Sequence, residues 1–169
     1  MSAALPTHEL DSAPWLRVES TLMATARLVR DAYDRRLAPL NLSLTQALVL
    51  AYVCDFGPVT QTKIADHLRQ GRAATGVTVD CLQDRELVER RPDPDDRRVW
   101  LVDLTPTGSL LVGDITSVDE QLRTELRAGI SRAERQALAR VLDRLRANLG
   151  CVIASSSERS RPTTVRRSK

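Results

Sequence analysis

The sequence predicts a mainly α protein carrying one small β-hairpin. Apolar residues recur at helical spacing through most of the 169 residues, with capping signals at Ser43, Thr60, Thr105 and Ser131. Aromatics make up only 3% of the chain, so the core must be built of Leu, Val and Ala, which favours packed helices over a sandwich or barrel. Two short runs, 87–91 and 99–104, alternate with period two around a proline-containing tip, which reads as a hairpin.

Each element can be placed in order. Residues 1–12 are polar and read as a flexible N-terminal arm. From Trp15 the pattern is helical: Trp15, Leu22 and Val29 form one file, flanked by Val18, Ala26, Tyr33 and Leu37. This helix, about 15–38, should end before Pro39. A second begins at Ser43, which forms a capping box with Gln46, and stops at Gly57-Pro58. Thr60 caps a short helix from Gln61 to about Arg69, and Gly71 marks a turn. A fourth helix runs from about Arg72 to Arg85 with Thr75, Thr78, Val79 and Leu82 inward. Pro92 and Pro94 cannot donate ladder hydrogen bonds, so the hairpin strands should part there. Thr105 and Pro106 open a fifth helix ending near Gly129, and Ser131 with Glu134 caps a sixth. Residues 154–169 read as a disordered basic tail, leaving 13–153 as a single domain.

Composition narrows the function. Charged residues are 28% and the formal net charge is +3, a mild excess that suits an anionic partner. No apolar run approaches the ~20 residues of a membrane span, and the N-terminus lacks a signal-peptide pattern. The expectation is a cytoplasmic protein without membrane attachment. The three cysteines, Cys54, Cys81 and Cys151, are far apart and read as reduced thiols. Cys54 and Cys81 suit small core positions, while Cys151 is the more accessible. His8 and His67 have no partners at ligand spacing, so neither a metal nor a cofactor is expected. No nucleophile–base pair or phosphate-cradling glycine loop points to an enzyme.

A helix pair followed by a hairpin, over about 43–105, is a helix-turn-helix with a wing. In that arrangement the second helix of the pair enters the DNA major groove and its N-terminal residues reach base edges. Those residues are Arg72, Ala73, Ala74, Thr75, Gly76 and Val77. A wing arginine suits the neighbouring minor groove, where a narrow tract concentrates negative potential. The run from Arg85 to Arg98 holds five arginines and five acids, so the wing must act through placement rather than bulk charge.

The stretch LVERRPDPDDRRVWLVDLTPTG, 87–108, resembles the MarR family, whose wing carries D-x-R several residues before L-T-x-x-G. Asp96, Arg97 and Arg98, then Leu104, Thr105 and Gly108, match that spacing, and the likeness extends over roughly Trp15 to Leu149. The resemblance implies a winged helix-turn-helix regulator that dimerises through helices at about 15–38 and 106–153. It also implies a homodimeric repressor of a pseudo-palindromic operator, released by a small, often phenolic, ligand or by an oxidant. Carried over, Arg98 is the minor-groove arginine, Asp96 holds its guanidinium, and Arg97 reaches phosphate or reinforces the tip.

Two positions depart from the family. Residues 73–77 read Ala-Ala-Thr-Gly-Val, where members often show hydroxyl residues and an arginine. That leaves apolar readout of thymine methyls, including by the Thr75 methyl, with Arg72 and Arg69 for phosphate or guanine. Gly76 costs ~1 kcal/mol relative to Ala in a helix, so it should have a reason, such as close backbone approach to DNA. Glu86 stands where the family usually has Gly, and carries strain if that turn needs positive φ. Thr60, Gln61 and Lys63 open the short helix, whose N-terminus suits phosphate. Trp15, Tyr33, Tyr52 and Phe56 are the candidates to line an effector pocket. Two other readings stay open: a winged-helix protein-interaction module, and a thiol-based redox-sensing regulator.

Overall fold

The computed structural model describes residue 13 and residues 17–159. The N-terminal arm, Trp15 and residues 160–169 lie outside the described residues. Among the described residues six α-helices appear in the order foreseen: α1 (Val18–Leu37), α2 (Leu44–Phe56), α3 (Gln61–Leu68), α4 (Arg72–Asp84), α5 (Pro106–Leu126) and α6 (Arg132–Arg159). A 3-10 turn, Ala38–Leu40, follows α1 and carries Pro39. The helix α6 runs on to Arg159, so a disordered tail does not begin at 154. The chain divides into two compact units, one reaching Thr124 and the other starting at Glu125.

Local signals set the helix starts. The Ser43 hydroxyl accepts from the Gln46 backbone while the Gln46 side chain accepts from Ser43 N–H, closing the capping box. Asp34 of α1 adds a second cap, its Oδ1 accepting from Leu44 N at 2.6 Å. Thr60 caps α3 through Lys63 N. Ser131 and Glu134 reciprocate at the start of α6.

Among the described residues the sheet holds three antiparallel strands, one more than the hairpin: β1 (Val59–Thr60), β2 (Val88–Pro92) and β3 (Trp100–Leu104), in the order β1-β3-β2. Pro92 remains in register opposite Trp100, so the strands part only beyond it. The core lies where α2, α3 and α4 meet this sheet and α5. Leu50, Ile64, Val79, Leu82, Val88 and Val102 are fully enclosed there.

The join between α4, the wing and α5 explains why L-T-x-x-G follows the hairpin. Glu86 has φ 56°, the left-handed region foreseen for it, and it ends α4 with Leu87 N–H bonded to Leu82 O at 3.0 Å. The Thr105 hydroxyl donates to Glu86 O at 2.6 Å and accepts from Gly108 N at 3.0 Å. A Cβ at Gly108 would overlap the Leu87 carbonyl oxygen. Thr105 thus ties the α4 terminus to α5, and Gly108 lets the two backbones close.

Candidate nucleic-acid interface

The wing tip is organised by its own acids. Asp93 N–H donates to Val99 O and Val99 N–H to Asp96 O, closing the loop, while Asp93 Oδ1 accepts from Asp95 N. Asp96 then grips Arg98 at both ends: Nε donates to Oδ1 at 3.0 Å and a terminal nitrogen to Oδ2 at 2.9 Å. This fork-on-fork pairing fixes the guanidinium plane, yet the Arg98 side chain is 90% exposed. The Arg98 hydrogen bond holds the Asp96 carboxyl below the usual carboxylate range, and Asp96 in turn raises Arg98. Arg97, beside it, is exposed.

Past Arg72, the outward face of the first two turns of α4 is mostly apolar. Arg72, Ala73 and Ala74 are exposed, and Val77 is 70% exposed. Thr75 is not part of this face. It is fully buried, its hydroxyl turned back to Gly71 O, so its methyl cannot touch a base. A Cβ at Gly76 would come 3.1 Å from Gln61 Nε2, so the end of that side chain would have to give by a few tenths of an ångström. The left-handed residue of the turn between α3 and α4 is Arg69, at φ 50°, whereas Gly71 is an ordinary extended N-cap. Arg69 keeps an exposed side chain from that position, and Lys63 is exposed on α3.

Gln61 and Thr60 are engaged within the fold. Gln61 Nε2 donates to Arg72 O at 3.4 Å, and its Oε1 accepts from Arg90 at 3.2 Å. Thr60 pairs with Leu101 in the sheet while its hydroxyl caps α3. The sequence reading missed Arg90. From β2 its guanidinium also reaches Asp80 Oδ1 at 2.6 Å and Gln83 Oε1 at 2.8 Å on α4. One side chain thereby joins the wing to both helices of the helix-turn-helix. Arg85 does similar work at the far end of α4, donating to the Asn41 and Leu40 carbonyls.

The three aromatic candidates that lie among the described residues, Tyr33, Tyr52 and Phe56, do not share one site. A cavity of about 180 Å³ lies between α1, α2 and α5, lined by Tyr33, Leu37, Ala47, Leu48, Ile115 and Asp119 among others. Tyr33 donates to Asp119 Oδ1 at 2.8 Å, and Arg123 holds Asp119 Oδ2 at 2.9 Å. Burial, followed by the Asp119 hydrogen bond, raises the Tyr33 hydroxyl above its ordinary range. Tyr52 and Phe56 lie elsewhere. Tyr52 stacks on His67 with centroids 4.1 Å apart, and Phe56, largely exposed, tilts against Tyr52. Trp15 is outside the described residues.

Cys54 is exposed rather than a core residue; Cys81 is half-buried, its sulfur accepting from Gln46 Nε2, and Cys151 is exposed. Among the described residues, no cluster of His, Cys, Asp or Glu could hold a metal ion. No single helix among them is long and apolar enough to cross a membrane.

A helix pair with an arginine-tipped hairpin from a three-stranded sheet locked beside its second helix defines a winged helix-turn-helix protein of the transcription-regulator class. The chain belongs to the MarR family, whose sequence model matches residues 40–99. It is 28% identical over 143 residues to the HTH-type transcriptional repressor NicR of Pseudomonas putida strain KT2440, covering 80% of this chain and 88% of the repressor. The crystal structure of transcriptional regulator PA3341 is 31% identical, with a TM-score of 0.71 over 78% of this chain and 97% of that one. BpsR of Bordetella bronchiseptica, whose DNA binding is regulated by 6-hydroxynicotinic acid, is 25% identical, with a TM-score of 0.73 over 79% of this chain and 96% of its own.

Proposed function

We propose that this chain is a cytoplasmic, homodimeric repressor that binds a pseudo-palindromic operator and is released by a small aromatic ligand. The observation that carries the reading is the Asp96–Arg98 fork, a fully presented but rigidly aimed arginine on a wing that Arg90 fastens to α4. Arg98 enters the minor groove while Arg72, Ala73, Ala74 and Val77 face the major groove, where the apolar members read thymine methyls. Lys63, Arg69 and Arg97 supply phosphate contacts.

Dimerisation is supported by the apolar residues that the terminal helices leave exposed: Val18, Met23 and Leu28 on α1, and Leu138, Val141 and Leu149 on α6. In a two-fold dimer the two copies of α4 would sit ~34–36 Å apart, one helical turn of DNA. The effector site is the Tyr33 cavity. Its volume of about 180 Å³ suits one aromatic ring, and its Tyr33–Asp119–Arg123 end offers polar groups for a hydroxyl and a carboxylate. The likeness to BpsR supports a hydroxylated one-ring aromatic acid as the class.

Selection of bound duplexes from a random pool tests this directly. Enrichment of an inverted repeat with half-sites one turn apart, lost when hydroxy-aromatic acids are added, is the expected result. Recovery of no duplex at low salt would overturn the DNA-binding reading and favour a protein-interaction module.

A further inference from the structure

Cross-strand partners share one face of a sheet, and the face of this wing that carries Arg90 changes character along its length. Nearest the core is the pair Val88 and Leu104. Next comes Arg90 with Val102, where Val102 is buried and Arg90 reaches across to Asp80 and Gln83 of α4. The third pair on this face is Pro92 with Trp100. Trp100 is therefore on the α4-facing side of the wing, one pair beyond the Arg90 bridge, about 7 Å nearer the tip. It is 57% exposed. The opposite face is occupied differently, with Arg91 paired to Asp103 at 2.9 Å. A large, half-exposed indole thus projects from the same face as the Arg90 bridge, between that bridge and the tip.

This inference rests on the DNA-binding reading above and deepens it. If α4 occupies a major groove and Arg98 the adjoining minor groove, the sugar–phosphate strand that separates them runs along the wing face that carries Trp100. We infer that Trp100 is a DNA-backbone contact, its ring packed on deoxyribose and its Nε1–H donating to a phosphate oxygen. The indole N–H is a donor with no acceptor character, so a phosphate oxygen is a fitting partner. Such a contact positions the duplex without reading sequence. It is also neutral, so it displaces no counterion, which separates it from every arginine or lysine contact.

The test uses the full chain, a duplex recovered by selection, and a random duplex. Trp100→Ala should weaken binding to both by about tenfold, the scale of one hydrogen bond to a charged acceptor. The slope of log affinity against log salt should not change. Trp100→Phe keeps ring packing and should lose less. Emission is read in a Trp15→Phe background, which leaves Trp100 as the single tryptophan, and it should change on adding duplex. Wild-type DNA binding with unaltered Trp100 emission and unaltered Trp100→Ala affinity would overturn the inference while leaving the function intact. Emission that follows protein concentration instead of duplex would assign Trp100 to self-association, and also overturn it. Failure of the wild type to bind any duplex would remove the functional reading and the inference together. Matching thermal melts for the two variants and the wild type verify that the fold is kept.

Discussion

Arg90 on the second wing strand stands 2.6 Å from Asp80 on α4, and the same guanidinium also holds Gln61 at the start of α3. The wing is therefore braced against α4 through a half-exposed network rather than through the core alone. Exposed ion pairs contribute only about 0.2–1 kcal/mol, so the folding effect should be small. A double-mutant cycle with Arg90→Ala and Asp80→Ala should give a coupling of about 0.5–1 kcal/mol in urea unfolding. Arg90→Ala should nevertheless weaken DNA binding, because a loosened wing no longer aims Arg98. Unchanged affinity in a shift assay would show that the brace has no part in aiming the wing.

Arg98 itself should be dispensable for folding and important for binding. Arg98→Ala should reduce operator affinity by about ten- to a hundredfold, the range for a specific arginine contact, with an unaltered melting temperature. Asp96→Ala should lose less, since it leaves the charge in place and removes only its orientation.

The Asp96–Arg98 pair also predicts a pH signature. Asp96 is lowered from 3.8 in the folded chain, so its carboxylate, and with it the pair, should persist as pH falls through the ordinary Asp range and be lost only below it. Carboxyl NMR should place the Asp96 midpoint under 3.8, and Arg98→Ala should return it toward that value. A midpoint that ignores Arg98→Ala would mean the fork does not form in solution.

Glu86 pays a conformational penalty where it ends α4 at φ 56°. An L-residue in the left-handed region costs about 1–2 kcal/mol, part of which glycine returns as unfolded-state entropy. Glu86→Gly should therefore stabilise the fold by up to about 1 kcal/mol in chemical denaturation. A destabilised variant would point to a side-chain role for Glu86.

Gly108 gives the opposite case. Any Cβ there meets the Leu87 carbonyl, and backbone cannot rotate aside as a side chain can. Gly108→Ala should cost about 1–3 kcal/mol, the range for forced overpacking, and should weaken DNA binding by shifting the root of the wing. Wild-type stability in this variant would mean that α5 docks less closely than described.

These positions show what the sequence could and could not reveal. Helix starts at Ser43, Thr60, Thr105 and Ser131 and the hairpin depend on neighbours within a few residues, so spacing alone disclosed them, whereas the Asp96–Arg98 pair was legible only through the family resemblance. Arg90 was illegible because its partners lie on α3 and α4, and only the docked sheet brings them together. Thr75 carried two incompatible roles in the sequence, inward residue and base contact; the rotation of α4 on the core chose the first. Gly71 marked the turn correctly, but the left-handed residue within it is Arg69, which carries no signal because glycine is the usual occupant of that conformation. The aromatic candidates were grouped by scarcity, and the packing of α2 on α3 sends Tyr52 and Phe56 to His67, leaving Tyr33 at the cavity.

The cavity makes the last prediction, through Tyr33. Its hydroxyl is raised from 10.0, first by burial and then by donating to Asp119, whose negative charge opposes a tyrosinate. A group raised in the folded state binds its proton more tightly there than in the unfolded chain. Its stabilisation is therefore complete below the unfolded value and disappears as pH rises through the folded one. Tyr52 is the other tyrosine, so Tyr52→Phe isolates Tyr33 for ultraviolet titration. The midpoint should lie above 10.0, and adding Asp119→Asn should bring it down by removing the charge while keeping an acceptor. Tyr33→Phe should remove this alkaline contribution to stability and weaken inhibition of DNA binding by a hydroxy-aromatic acid, since it deletes a polar group that the effector would meet. Full inhibition of Tyr33→Phe by that acid would place the effector outside this cavity.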